Sequence, residues 1–167
     1  MMDCNANLRY AVNITSPSGA HEHAAEDARE ALKAGADPNM IVDETLGYTA
    51  LAASIVSRDF ETAKVLLEYG ADPNIPSKYY GTPLTQHVTQ FFHPVDEDIV
   101  KTLLEYGARS DLVNKDGETA RSGAERIGNQ TVIDLCDAFS KEENGKKNKQ
   151  KKLAQKSALR RYVRHMR

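Results

Sequence analysis

The chain has 167 residues, 40% of them hydrophobic and 28% charged, which suits one ordinary folded domain with its own core. No apolar run approaches the ~20 residues that a membrane-spanning helix needs, and the opening residues lack the basic-then-apolar layout of a secretion signal, so an intracellular protein is expected. The net charge of −2 hides an asymmetry: residues 141–167 hold 11 Lys+Arg against 2 Asp+Glu, a net of +9, and residues 1–140 hold 11 against 22, a net of −11.

In chain order, Leu8, Ala11 and Val12 predict a short helix, closed by the breaker Ser16-Pro17-Ser18-Gly19. Ala24, Ala25, Ala28, Ala31 and Leu32 then fall at helical spacing before Gly35, placed as a helix-ending glycine. Residues 40–47 predict a protruding, hairpin-like finger carrying Met40, Ile41, Val42 and Leu46. Thr49 is expected to cap the next helix through its hydroxyl, and Ala63, Leu66, Leu67 and Gly70 mark a second helix over 60–69. Thr82-Pro83 opens another helix, proline suiting a first turn that leaves its N–H unpaired. From Thr82 to Val100 the chain is four residues longer than from Thr49 to Ala63, an insertion placed within Phe91-Phe92-His93-Pro94, where Pro94 stops simple continuation of the helix. Thr119-Ala120 with Ala124, Ile127, Val132, Ile133, Leu135 and Cys136 predicts a last helix pair, Cys136 being read as a small buried residue. A lysine-rich linker over 141–152 follows, and Leu159, Tyr162, Val163 and Met166 lie at the spacing of an amphipathic basic helix.

Two motifs recur in register. Leu66-Leu67-Glu68-Tyr69-Gly70-Ala71-Asp72-Pro73-Asn74 returns as Leu103-Leu104-Glu105-Tyr106-Gly107-Ala108-Arg109-Ser110-Asp111, with a worn copy ending Gly35-Ala36-Asp37-Pro38-Asn39. Gly47-Tyr48-Thr49-Ala50-Leu51 is matched by Tyr80-Gly81-Thr82-Pro83-Leu84 and by Gly117-Glu118-Thr119-Ala120. A period near 33 to 37 residues, a turn followed by a T-P-L-like helix start, and a second helix ending L-L-x-x-G-A-D-x-N resemble the ankyrin repeat over residues 20 to 138. The resemblance implies an all-α solenoid of four stacked helix-turn-helix units over 5–39, 47–74, 81–111 and 117–139, within a domain of residues 1–140. The outer two units diverge, hairpin-like loops project, and residues 141–167 form a basic extension. In the second loop Tyr80 takes the family's glycine position and Gly81 follows one residue late.

The repeated leucines are read as core, as are Tyr69 and Tyr106, and Asp37, Asn39, Asp72 and Asn74 as residues that satisfy turn backbone. Contacts with a protein partner are then implied on a concave surface of finger tips and first helices. Carried over position by position, that surface takes Thr45, Leu46, Tyr48, Val56 and Ser57 from one unit. The next gives Lys78, Tyr79, Thr89 and Gln90, and the last Lys115, Asp116, Glu118 and Arg126. Tyr79 is the first expected anchor, then Tyr48 and Phe91 or Phe92, because aromatics dominate interface energetics. The five histidines are scattered, and there is no nucleophile motif, phosphate-cradling glycine loop or metal-ligand spacing. A non-catalytic, cofactor-free and metal-free cytoplasmic monomer is expected. A rival reading gives the basic tail the function, as a nuclear address, a nucleic-acid or membrane-surface contact, or an autoinhibitory segment; the acidic body weighs against nucleic acid.

Overall fold

The computed structural model describes residues 4–12, 23–90 and 93–141. Helices come in pairs: α1 (Cys4–Ala11) with α2 (Ala24–Lys33), α3 (Ala50–Val56) with α4 (Phe60–Glu68), and α5 (Pro83–Thr89) with α6 (Glu97–Glu105). Then follow α7 (Ala120–Ile127) and α8, helical over 130–141. Strands β1 (Ile41–Asp43) and β2 (Tyr48–Thr49) pair antiparallel between α2 and α3, Ile41 opposite Thr49 and Asp43 opposite Tyr48. Among the described residues the fold is all-α apart from this hairpin.

Helices of seven to ten residues are too short to persist alone in water, so packing must hold them. It does so in two rows: α3 lies on α5 and α5 on α7, while α2 lies on α4 and α4 on α6. Leu8, Leu51, Leu66, Leu84, Ile99 and Leu103 are fully buried in one continuous core that runs from α1 to α8. Cys136 belongs to that core, and burial raises its thiol pKa. Neighbours within a row approach closely where side chains are small. At Gly123 in α7 an added Cβ would stand 2.8 Å from Thr89 Cγ2 on α5.

Local chemistry starts α3 to α7 and stops α2, α4 and α6. Thr49, Thr82 and Thr119 are extended residues whose hydroxyls accept from the N–H groups of Ala52, Thr85 and Ser122, three residues on. Asp59 and Asp96 cap α4 and α6 in the same way. Gly35, Gly70 and Gly107 end α2, α4 and α6 at φ values of 98°, 88° and 89°, which lets the next alanine donate to a carbonyl five residues back.

In the turns that follow, Asp37 Oδ1 accepts from Asn39 N and Asp72 Oδ1 from Asn74 N, both at 2.9 Å, as expected for turn carboxylates. The asparagines depart from that expectation. Asn39 Oδ1 accepts from Asp72 N at 2.7 Å and Asn74 Oδ1 from Arg109 N at 2.8 Å, so each reaches the turn of the next helix pair. Asn74 also donates to the Gly107 carbonyl at 3.0 Å, and Asn5 Oδ1 accepts from Asp37 N at the start of the row. These side chains set the register between neighbouring pairs.

One further expectation shifts and one holds. Tyr69 packs against the core, but Tyr106, in the same motif position, is exposed. The connection from α5 to α6 has seven residues, 90–96, where that from α3 to α4 has three, 57–59, in agreement with a four-residue insertion. Phe91 and Phe92 within it, and the predicted basic helix near the C-terminus, lie outside the described residues.

Candidate partner-binding surface

Three finger-like loops precede α3, α5 and α7, and each is headed by a polar side chain that organises its tip. Asp43 Oδ1 accepts from Thr45 N at 2.8 Å and Leu46 N at 3.0 Å. Ser77 N donates to the Gly81 carbonyl at 2.9 Å, and Ser77 Oγ accepts from Tyr80 N at 3.2 Å. Asn114 Oδ1 accepts from Asp116 N at 2.9 Å and Glu118 N at 3.0 Å. In the second finger Gly81, at φ +77°, takes the left-handed conformation, which leaves Tyr80 free to carry a side chain one residue earlier.

The fingers stand side by side. Lys78 N donates to the Leu46 carbonyl at 2.9 Å, and Lys78 Nζ donates to the Glu44 carbonyl. Lys115 Nζ lies 5.5 Å from the centre of the Tyr79 ring, a cation over an aromatic face. Tyr79 and Tyr80 meet edge to face at 6.4 Å and are 46% and 43% exposed, an unusual investment of aromatic surface in water. Ile41 and Val113 are exposed on the first and third fingers.

The expected anchor Tyr48 is not on this surface. It is 4% exposed, packed on Ala52 and Ala53, with its hydroxyl accepting from Gln86 Nε2 at 2.7 Å and Tyr80 lying over it at a ring distance of 6.2 Å. Burial raises the pKa of its phenol. The reason is non-local: α5 supplies Gln86 and the second finger supplies Tyr80, and together they close over a ring that its own unit would leave open. Val56 is half-buried against the same cluster. Ser57 Oγ donates to the carbonyls of Ala53 and Ser54, finishing α3.

Other expected residues gather at the last finger. Arg126 Nε donates to Glu118 Oε1 at 2.9 Å, and Arg126 Nη2 to the Thr89 carbonyl at 3.3 Å, tying α7, the third finger and the end of α5 together. Gln90 follows Thr89 directly, half-buried, while Thr45, Lys78, Lys115 and Asp116 are exposed and Leu46 is half-buried. Phe91 lies outside the described residues. Tyr80 and Val113 were missed as surface residues, while Ile41 is exposed on the finger where it was expected; the displaced glycine beside Tyr80 was the one available signal. Among the described residues no group of three or more His, Cys, Asp or Glu is placed to hold a metal ion, and no helix is long and apolar enough to cross a membrane.

Residues 46–78, from the tip of the first finger through α3 and α4 to the second, match the family model of the ankyrin repeat. The chain carries an ankyrin repeat over these residues. The ends of the matched ankyrin repeat, Leu46 and Lys78, are the two residues joined by the backbone hydrogen bond between adjacent fingers, so one repeat length is one step along the row. The chain is also 31% identical over 99 residues to an ankyrin repeat protein, L92, of Acanthamoeba polyphaga mimivirus. That match takes in 59% of this chain and 23% of the relative, so the chain spans less than a quarter of the relative's length. Ankyrin repeats generally mediate protein–protein interaction.

Proposed function

We propose that this ankyrin-repeat chain is a non-catalytic module that holds a partner protein against its fingers and first helices. The helix pairs would act as a solenoid of four repeats, over 5–39, 47–74, 81–111 and 117–139, that keeps the fingers in line. The observation that carries the reading is the pair Tyr79 and Tyr80, half-exposed at the tip of the second finger beside Lys78 and Lys115. Rigid aromatics flanked by polar groups have the composition of interface anchors, and truncating such an anchor often costs about 2 kcal/mol or more of binding. Of the first helices, α3 and α5 are buried in all but their last residue, so the fingers supply most of the surface that a partner would meet. Tyr48 drops out as a contact and supports the finger from beneath. The partner is a protein met in the cytoplasm by a monomer.

The test is affinity capture with the full chain and with a Tyr79→Ala/Tyr80→Ala variant, at ~0.15 M and ~0.5 M salt, where screening weakens charge-driven capture. A discrete protein retained by the wild type at both salts and lost by the variant supports the proposal. Equal retention by both chains contradicts it. The charge contrast between 141–167 and the body supports a second reading, in which the tail binds an anionic partner. It expects capture that disappears at high salt whichever residues occupy 79 and 80.

A further inference from the structure

His87 does a task that neither the repeat pattern nor the binding surface requires. It sits in α5, 5% exposed, and its Nε2 accepts from the Asp96 N–H at 3.0 Å. Asp96 ends the long connection and caps α6, its carboxylate accepting from Asp98 N and Ile99 N. One imidazole therefore holds the start of α6 onto the inner helix. Phe60, at the head of α4, meets the His87 ring edge-on at 5.6 Å. Arg58 lies over the same Phe60 at 5.1 Å and donates to the Pro94 carbonyl at 3.1 Å. Among the described residues Arg58 is the non-glycine residue at positive φ, +59°, a conformation that costs energy and persists where its surroundings demand it. Here it closes α3, Arg58 N donating to the Ile55 carbonyl and Asp59 N to the Ser54 carbonyl, as the glycines close α2, α4 and α6.

We propose that His87 is a proton-gated latch, whose neutral imidazole fastens the end of the connection, residues 93–96, and the first turn of α6 to α5, and whose protonation releases both. The latch depends on Nε2 being an acceptor. When solvent delivers a proton there, Nε2–H faces the Asp96 N–H, donor against donor. The charged groups facing the ring among the described residues are Arg58 and Asp96. The new cation is repelled by Arg58. It also attracts the Asp96 carboxylate, which must leave the Asp98 and Ile99 amides to reach it. Each response frees the loop or unwinds the first turn of α6. Burial first, and Arg58 second, lower the His87 pKa from 6.5 to about 4, so neutral solution keeps the latch closed. The sign follows from linkage. The opened state binds the proton more readily, so closure is complete above pH 6.5 and weakens as pH falls toward 4.

Gln90 belongs both to this connection and to the proposed binding surface, but the latch can be tested without a partner. Amide hydrogen exchange of Asp96, Asp98 and Ile99 is measured in the full chain at pH 7 and pH 5, corrected for intrinsic rates, beside a His87→Gln variant. Glutamine offers a neutral oxygen acceptor at every pH. The two pKa values, 6.5 opened and about 4 closed, predict that local opening in the wild type rises about twentyfold relative to the variant between these conditions. Parallel loss of protection in both chains overturns the proposal. A readout on the unmodified chain guards against misfolding of the variant: the His87 ring protons and the Asp96 amide should titrate by NMR with one shared midpoint near 4. A midpoint near 6.5, or an Asp96 amide that ignores the titration, also overturns it.

Discussion

Substituting Gly123 with alanine sets two effects of known sign against each other. Gly123 lies inside α7, where alanine is normally favoured over glycine by about 1 kcal/mol. Its added methyl, however, would stand 2.8 Å from Thr89 Cγ2 and 3.5 Å from Val88 Cγ1 on α5. Carbon atoms prefer about 3.5 to 4 Å, so the overlap with Thr89 is large. Thr89 cannot easily yield, because a β-branched side chain in a helix has few rotamers and its hydroxyl donates to the Thr85 carbonyl at 2.8 Å. Overpacking of this kind costs about 1 to 3 kcal/mol, so Gly123→Ala is expected to lower stability by about 1 kcal/mol net. Thr89→Ser removes Cγ2 and keeps the hydroxyl. In that background Gly123→Ala should become neutral or stabilising by up to about 1 kcal/mol. Urea unfolding of the four chains gives the coupling directly, provided that the m-values agree. Additive changes, or a stabilising Gly123→Ala in the wild-type background, would refute the close approach of α5 and α7.

The asparagine links predict a graded series by the same unfolding assay. Asn74→Ala removes an accepted and a donated hydrogen bond to the next turn and should cost about 1 to 3 kcal/mol; Asn39→Ala removes the single bond to Asp72 N and should cost about half as much. Tyr48→Phe keeps the packing but strips the acceptor from Gln86 Nε2, on a residue whose Oε1 already has no partner, and should cost about 1 to 2 kcal/mol with the fold intact by circular dichroism. Thr119→Ala deletes the hydroxyl half of a capping box and should cost about 1 kcal/mol in thermal unfolding, with the loss centred on α7 by hydrogen exchange.

The parts legible in the sequence were those fixed within a few residues of themselves. The threonine caps at 49, 82 and 119, the helix-ending glycines at 35, 70 and 107 and the extra length between α5 and α6 each follow from local backbone needs. What escaped depends on partners about a repeat away. Tyr48 is buried by Gln86, 38 residues on, and by Tyr80. Asn39 and Asn74 look like turn residues until the next turn arrives 33 to 35 residues later. His87 gains its role only because an inserted loop returns Asp96 to it. Tyr69 and Tyr106 share a motif position and differ in exposure, which no pattern within one repeat distinguishes.

The most direct measurement is a hydrogen-exchange footprint of the captured partner on the full chain at neutral pH. Protection should concentrate in the fingers, over 43–48, 77–81 and 114–118, and extend to α3 and α5, with α2, α4 and α6 unchanged. Protection confined to α2, α4 and α6, with the fingers exchanging as in the free protein, would contradict binding through the finger face.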